Sequence, residues 1–188
     1  MRTGSSKWPM VLPEPPAGVK FKVFVVGLTH TGKNSVDAAL ARFGYTCKHY
    51  PNPKRVIEES EQYDALSDTP VLLFVEALDR IYPDSKFILT VRDLDSWLQS
   101  CKEHWAWKTG LSELQLWNRI SVYGTIKYDE QLFRQAYATH HRRVQDYFRG
   151  RPEKLLVLNV CAGEGYEKLC PFLGVPLVEE PFPHRNRK

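Results

Sequence analysis

FKVFVVGLTHTGKNSVDAAL, Phe21 to Leu40, decides the fold. Phe21 to Gly27 is a dense run of β-branched and aromatic residues, which predicts a buried parallel strand. Val36, Ala39, Leu40 and Phe43 then recur at helical spacing, and Gly44 stops that helix. Between the two stands GLTHTGKN, Gly27 to Asn34. A phosphate-binding loop of the Walker A kind reads G-x-x-x-x-G-K-[ST], and only the last position departs from it. Asn34 takes the place of the magnesium-coordinating hydroxyl, with Ser35 one residue late. The backbone N–H groups of Thr31 to Ser35 are expected to converge on an anion at the helix N-terminus. Gly32 would admit its close approach, Lys33 would add a mobile positive charge, and His30 and Thr31 would donate further hydrogen bonds.

Working outward, YTCKHY (Tyr45 to Tyr50) predicts a short second strand before a Pro51–Pro53 turn. Thr69 and Pro70 read as the cap and first-turn proline of a helix through VLLFVEALDRIY. KFILTV, Lys86 to Val91, predicts the next strand, and Asp93 or Asp95 starts a helix through Trp97, Leu98, Cys101 and Trp105. Two helices are expected over Leu111–Val122 and Asp129–Phe148, then a last strand over Lys154–Val160 and a short helix in GYEKLCPFLG, interrupted by Pro171. Strands alternating with helices predict an α/β fold, a P-loop nucleotide-binding architecture with a central parallel sheet flanked by helices on both faces. With 188 residues and no internal repeat, a single domain over 20–188 is expected, preceded by a Pro-rich arm over 1–19.

The net charge of +4 is spread among interspersed acidic and basic residues, without the positive stripe that a nucleic-acid partner would want. The first residues lack the apolar stretch of a secretory signal, and no charge-free run is long enough to span a bilayer, so a cytoplasmic protein is expected. An oligomer is compatible with all of this. Cys47, Cys101, Cys161 and Cys170 are too dispersed for a zinc or disulfide pattern, which predicts buried free thiols and no metal site.

A nucleotidase or kinase would want an aspartate at the end of a second hydrophobic strand to manage magnesium. KFILTV ends instead in Arg92-Asp93, and LLVLNV ends in Asn159. An arginine at the carboxyl end of a parallel strand points into the crevice where such sheets bind ligands. A second anion recogniser beside a glycine loop without its hydroxyl reads as a nucleotide with phosphates at two places, held without metal.

GLTHTGKNSVDAALARFGY, FILTVRDLDSWLQS and LLVLNVCAGEGYEKLCPFLGVPLVEEPFPHRN together resemble the P-loop sulfotransferase-like family of small cytosolic proteins, in the same order and over most of the chain. The resemblance implies transfer of a sulfuryl group from 3′-phosphoadenosine 5′-phosphosulfate (PAPS) to a hydroxyl or amine of a small-molecule acceptor, leaving adenosine 3′,5′-bisphosphate. It places His30, Thr31, Gly32, Lys33, Asn34 and Ser35 around the 5′-phosphosulfate, and Arg92 and Ser100 on the 3′-phosphate, with Ser96 a nearer competitor. It also lays the loop with Gly163, Gly165 and Lys168 over the nucleotide. The loop departs from the family pattern in having His30 before Gly32 and Lys33 directly after it. That rearrangement keeps a non-catalytic nucleotide-binding scaffold open, and a nucleotide kinase or other NTP-binding protein stands as a further alternative. Transfer to a hydroxyl wants a base, for which Asp68, His104, His140, His141 and His30 are candidates. Asp68 stands first and His104 second, with Lys33 as the catalytic cation. Helix capping is the competing role for Asp68, and a solvated helix face that for at least one of His140 and His141.

Overall fold

The structure, a computed structural model, describes residues 21–106 and 110–185. The expected arm over 1–19 lies outside these residues, as does Trp107. Five parallel strands form the sheet: β1 (Val23–Val25), β2 (Cys47–His49), β3 (Ala65–Ser67), β4 (Lys86–Thr90) and β5 (Leu155–Leu158), in the spatial order β2-β3-β1-β4-β5. The helices are α1 (Lys33–Arg42), α2 (Val56–Gln62), α3 (Val75–Ile81), α4 (Leu94–Ala106), α5 (Glu113–Tyr123), α6 (Glu130–Tyr147) and α7 (Tyr166–Leu173). The sheet is thus parallel and flanked by helices on both faces, as the alternation of elements predicts.

Strand alternation divides the core in two. Phe24, Phe87 and Leu89 face one layer with Trp97, Phe133 and Val144 from α4 and α6. Val23, Val25 and Ile88 face the other, with Val36, Leu40 and Leu169 from α1 and α7. Helix ends carry their own signals. Asp93 Oδ1 accepts from Ser96 N at the start of α4, Asp129 Oδ1 accepts from Leu132 N before α6, and Ser112 with Gln115 closes a capping box on α5.

Several expectations need correction. Strand β3 and helix α2 are absent from the sequence reading: β3 has two apolar residues, Ala65 and Leu66, followed by a buried Ser67, and α2 is mostly polar. The helix expected from Thr69 is a 3-10 turn over Val71–Leu73 followed by α3, and neither start has a side-chain cap. Asp68 instead accepts from the neighbouring Thr69 N through Oδ1, so helix capping is not its role. Helix α7 runs through Pro171 to Leu173, a proline tolerated near the end of a short helix. Among the cysteines only Cys101 and Cys170 are buried; Cys47 is half-buried and Cys161 exposed, because it lies on the loop after β5. No helix among the described residues is long and apolar enough to cross a membrane.

Candidate functional site

Because every strand is parallel, the five carboxyl ends open onto one edge, where ligands of such sheets bind. The chain leaves β1 through Gly27, where an added Cβ would lie 1.9 Å from Thr90 Oγ1 and 2.5 Å from Thr90 O on β4. Only glycine fits that approach. Gly32 caps α1 at φ +92, in the left-handed region, with Val160 Cβ 3.0 Å from the place of a side chain. Lys33 and Asn34 begin α1, where first-turn N–H groups lack i−4 partners, although Ser35 N donates to Gly32 O at 3.0 Å. The loop therefore offers backbone donors and a bare, close-approach surface, and so fits a phosphate group.

Its side chains are placed differently from expectation. Thr31 is fully buried; its hydroxyl donates to Leu28 O at 2.7 Å and lies 2.6 Å from Thr90 Oγ1, leaving only its backbone to face a ligand. Ser35 Oγ accepts from Arg185 N at 3.0 Å. The Lys33 ammonium is buried, donating to Gly27 O at 3.1 Å and to Leu28 O, and it pairs with Asp68 Oδ1 at 2.9 Å. The expected mobile charge is thus drawn inward, beneath its own loop.

Arg92 follows β4 and reaches the same loop. Its Nη1 lies 3.4 Å from His30 O, and its Nε donates to Ser96 Oγ at 3.1 Å. Tyr137 OH donates to Arg92 O at 2.7 Å and fixes that stretch of backbone from α6. Ser100, on the same side of α4, lies 3.3 Å from His30 Nδ1, and the His30 and His104 rings meet edge-on at 4.6 Å. Burial, then the neighbouring His104, Lys33 and Arg92, pull the His30 imidazole down to about 4, so it is neutral near pH 7. Arg92, Ser100, His30 and His104 are therefore brought together. Asp68 stands at the other side of Lys33, with the ends of β2 and β3.

There the geometry is closed by residues the sequence reading passed over. His49 Nε2 lies 3.1 Å from Asp68 Oδ2, and its Nδ1 lies 2.9 Å from Asp37 Oδ2 and 2.8 Å from Ser67 Oγ. Burial alone would lower the His49 pKa, but the Asp37 and Asp68 carboxylates raise it to about 9, leaving an imidazolium. Burial would likewise raise Asp68; Lys33 and His49 outweigh it and hold the carboxyl well below its usual range. Ser67, His49 and Asp68 look superficially like a hydrolase triad. Ser67 is 1% exposed and its hydroxyl donates a hydrogen bond to Asp37 Oδ2 at 2.6 Å, so it presents no nucleophile. A metal is equally ill served, since both His49 nitrogens already face carboxylates. His30, Tyr50 and Asp68 have φ of 61, 55 and 76, and all three lie at this edge, where backbone strain commonly accompanies function. His49 ends a predicted strand; the rule that carboxyl ends gather at the crevice was the signal that could have found it.

His140 and His141 are not on a solvated face. Both are buried, and His140 Nε2 donates to Val26 O at 2.6 Å, which makes it a backbone anchor for β1. Trp105 packs edge-on against Tyr123 and Phe133 in the core. A cleft of about 320 Å³ opens between Leu72–Leu73, the end of α5 and α6, with Thr139, His140 and Arg143 on its polar wall.

A parallel α/β sheet thus carries a glycine loop, an inward lysine and a strand-end arginine at its carboxyl edge, an arrangement that fits an anionic ligand. The chain belongs to the family described as "Sulfotransferase domain", whose profile matches residues 54–188. It is also similar to "Ava biosynthesis cluster protein M" of Aspergillus versicolor, 26% identical over 211 residues that cover 87% of this chain and 80% of that protein. The chain is accordingly an enzyme of the sulfotransferase type, using PAPS to sulfate an acceptor.

Proposed function

We propose that Gly27–Asn34 is a P-loop for the 5′-phosphosulfate of PAPS, with backbone donors from Thr31 to Ser35, and that Arg92 and Ser100 take the 3′-phosphate. The observation that carries this reading is the position of Arg92, whose guanidinium lies 3.4 Å from the His30 carbonyl within the loop. A second cation at that point suits a nucleotide phosphorylated at two separate places. An arginine fork also grips phosphate by paired donors.

The acceptor is a small molecule with a hydroxyl or amine, and Asp68 is its base, ahead of His104. When bound, PAPS supplies a sulfuryl group whose bond to the 5′-phosphate oxygen breaks as the acceptor's bond to sulfur forms, the electron pair leaving with adenosine 3′,5′-bisphosphate. Lys33 offsets the charge that builds on the leaving oxygen, and Asp68 takes the acceptor's proton at Oδ1. Lys33 now covers that oxygen, so its turn toward the donor both neutralises the leaving group and uncovers the base.

Calorimetry tests the assignment. Adenosine 3′,5′-bisphosphate is expected to bind tightly without magnesium, and ATP weakly with or without it. Preference for magnesium-ATP would overturn the reading in favour of a kinase. Incubation with sulfur-labelled PAPS and a panel of alcohols, phenols and amines then identifies the acceptor class.

A further inference from the structure

Lys33 and Asp37 lie one turn apart on α1 and are joined through a chain that leaves the helix and returns to it. Lys33 Nζ meets Asp68 Oδ1 at 2.9 Å, Asp68 Oδ2 meets His49 Nε2 at 3.1 Å, and His49 Nδ1 meets Asp37 Oδ2 at 2.9 Å. The pairing of β2 with β3 sets this up, because His49 and Ser67 are register partners and Asp68 is the next residue. Each oxygen of Asp68 thus has its own cation. The two cations differ in how they are held. Lys33 reaches Asp68 through a long, flexible stem. The His49 ring is fixed at its far nitrogen by Asp37 and Ser67. Ser67 also donates to Asp37, whose other oxygen is buried without a partner. A buried carboxylate in that position depends on the imidazolium beside it.

We propose that His49 is a positioning residue for sulfuryl transfer, holding Asp68 by Oδ2 so that Oδ1 stays aimed at the acceptor after Lys33 turns to the donor. This rests on the roles of Lys33 and Asp68 given above. Without His49, Asp68 would have no fixed cation once Lys33 had left. Its carboxylate would keep only the hydrogen bond from Thr69 N to Oδ1, and the orientation needed for proton transfer would be loosened. The charged or titratable groups that face His49 are Asp37 from α1 and Asp68 after β3, with Lys33 beyond Asp68; Ser67 from β3 is neutral.

The test is a titration of Asp68 by carboxyl carbon NMR in the full chain, with the resonance identified by its loss in Asp68→Asn. His49→Gln is expected to raise the Asp68 midpoint by about one pH unit or more, and His49→Arg, which keeps a cation, to restore much of the wild-type value. Imidazole nitrogen shifts should show His49 doubly protonated at pH 8 in wild type and less so in Asp37→Asn, a variant that keeps the ring if His49→Gln fails to fold. With a sulfated acceptor in hand, His49→Gln should lower turnover at saturating PAPS at least tenfold, with donor affinity unchanged and the acid limb of the rate profile moved to higher pH. An Asp68 midpoint that stays put in His49→Gln, or in Asp37→Asn where His49→Gln does not fold, would overturn the proposal. Adenosine 3′,5′-bisphosphate binding separates the two failures. If wild type does not bind it, the functional reading falls; if binding is intact and Asp68 is indifferent to His49, only the positioning role does.

Discussion

Lys33 Nζ and Asp68 Oδ1 stand 2.9 Å apart with the lysine side chain only 4% exposed, each serving as the other's counter-ion at the crevice edge of the sheet. Breaking such a pair leaves the remaining charge poorly compensated, so the variants at these two positions carry two effects at once.

Lys33→Ala removes the cation expected at the leaving oxygen. Turnover at saturating PAPS should fall on the order of 100-fold, together with donor affinity. The preference for a 3′-phosphorylated nucleotide over its dephosphorylated analogue should survive, since Lys33 lies in the loop and not at the end of β4. Single-turnover transfer and calorimetry with the two nucleotides read both effects.

Arg92→Ala should fail in the opposite way. Its contacts to a 3′-phosphate are remote from the sulfur and are much the same in ground and transition states, so binding rather than turnover should suffer. A loss of about 2–5 kcal/mol is expected if the contact is desolvated, and with it the preference for the 3′-phosphorylated nucleotide. If that preference persists, Arg92 is not the 3′-phosphate residue.

Gly27→Ala tests the loop without touching a ligand. The new Cβ would lie 2.5 Å from the Thr90 carbonyl oxygen, which is backbone and cannot step aside. Overpacking at such a point costs about 1–3 kcal/mol or more. A lowered denaturation midpoint with an unchanged slope is the expected result; a variant as stable as wild type would mean that β1 and β4 are not this close.

Acid should destabilise the fold through α6. Burial lowers His140 to about 3 and His141 to about 4, against 6.5 in the unfolded chain. Between those values and 6.5 the unfolded chain binds more protons, so stability is full above pH 6.5 and is lost as pH falls. Each histidine contributes a slope of about 1.4 kcal/mol per pH unit within its window. His49 acts with the opposite sign: raised to about 9, its contribution is present below pH 6.5 and is lost as pH rises through 9. Urea denaturation from pH 4 to 10 should show both limbs, and His140→Asn should flatten the acid one.

The glycine loop, β4 and the long amphipathic helices were legible because their signals are local: Gly32 and Lys33 in sequence, and apolar residues at fixed spacing in α4 and α6. The approach of the strand-end Arg92 to the glycine loop followed from the same local signals. Strand β3 could not, since three residues carry no period, and its buried Ser67 looks polar until His49 and Asp37 are seen around it. The inward turn of Lys33 was hidden too. It depends on Asp68, 35 positions away in sequence and brought near only because β3 lies beside β1. His140 and His141 misled because adjacent basic residues suggest a wet surface, whereas the chain leaving β1 gives one of them a carbonyl to hold, at Val26.

Ser35, in the first turn of α1, accepts its hydrogen bond from the backbone of Arg185, 150 residues later, and Phe182 packs where a side chain on Gly165 would stand. During synthesis, the helix that follows the glycine loop therefore lacks this tie until almost the whole described chain has left the ribosome. A chain that stopped short of residue 182 would carry all five strands but lack this brace on the first turn of α1, so the setting of the glycine loop is tied to the completion of synthesis.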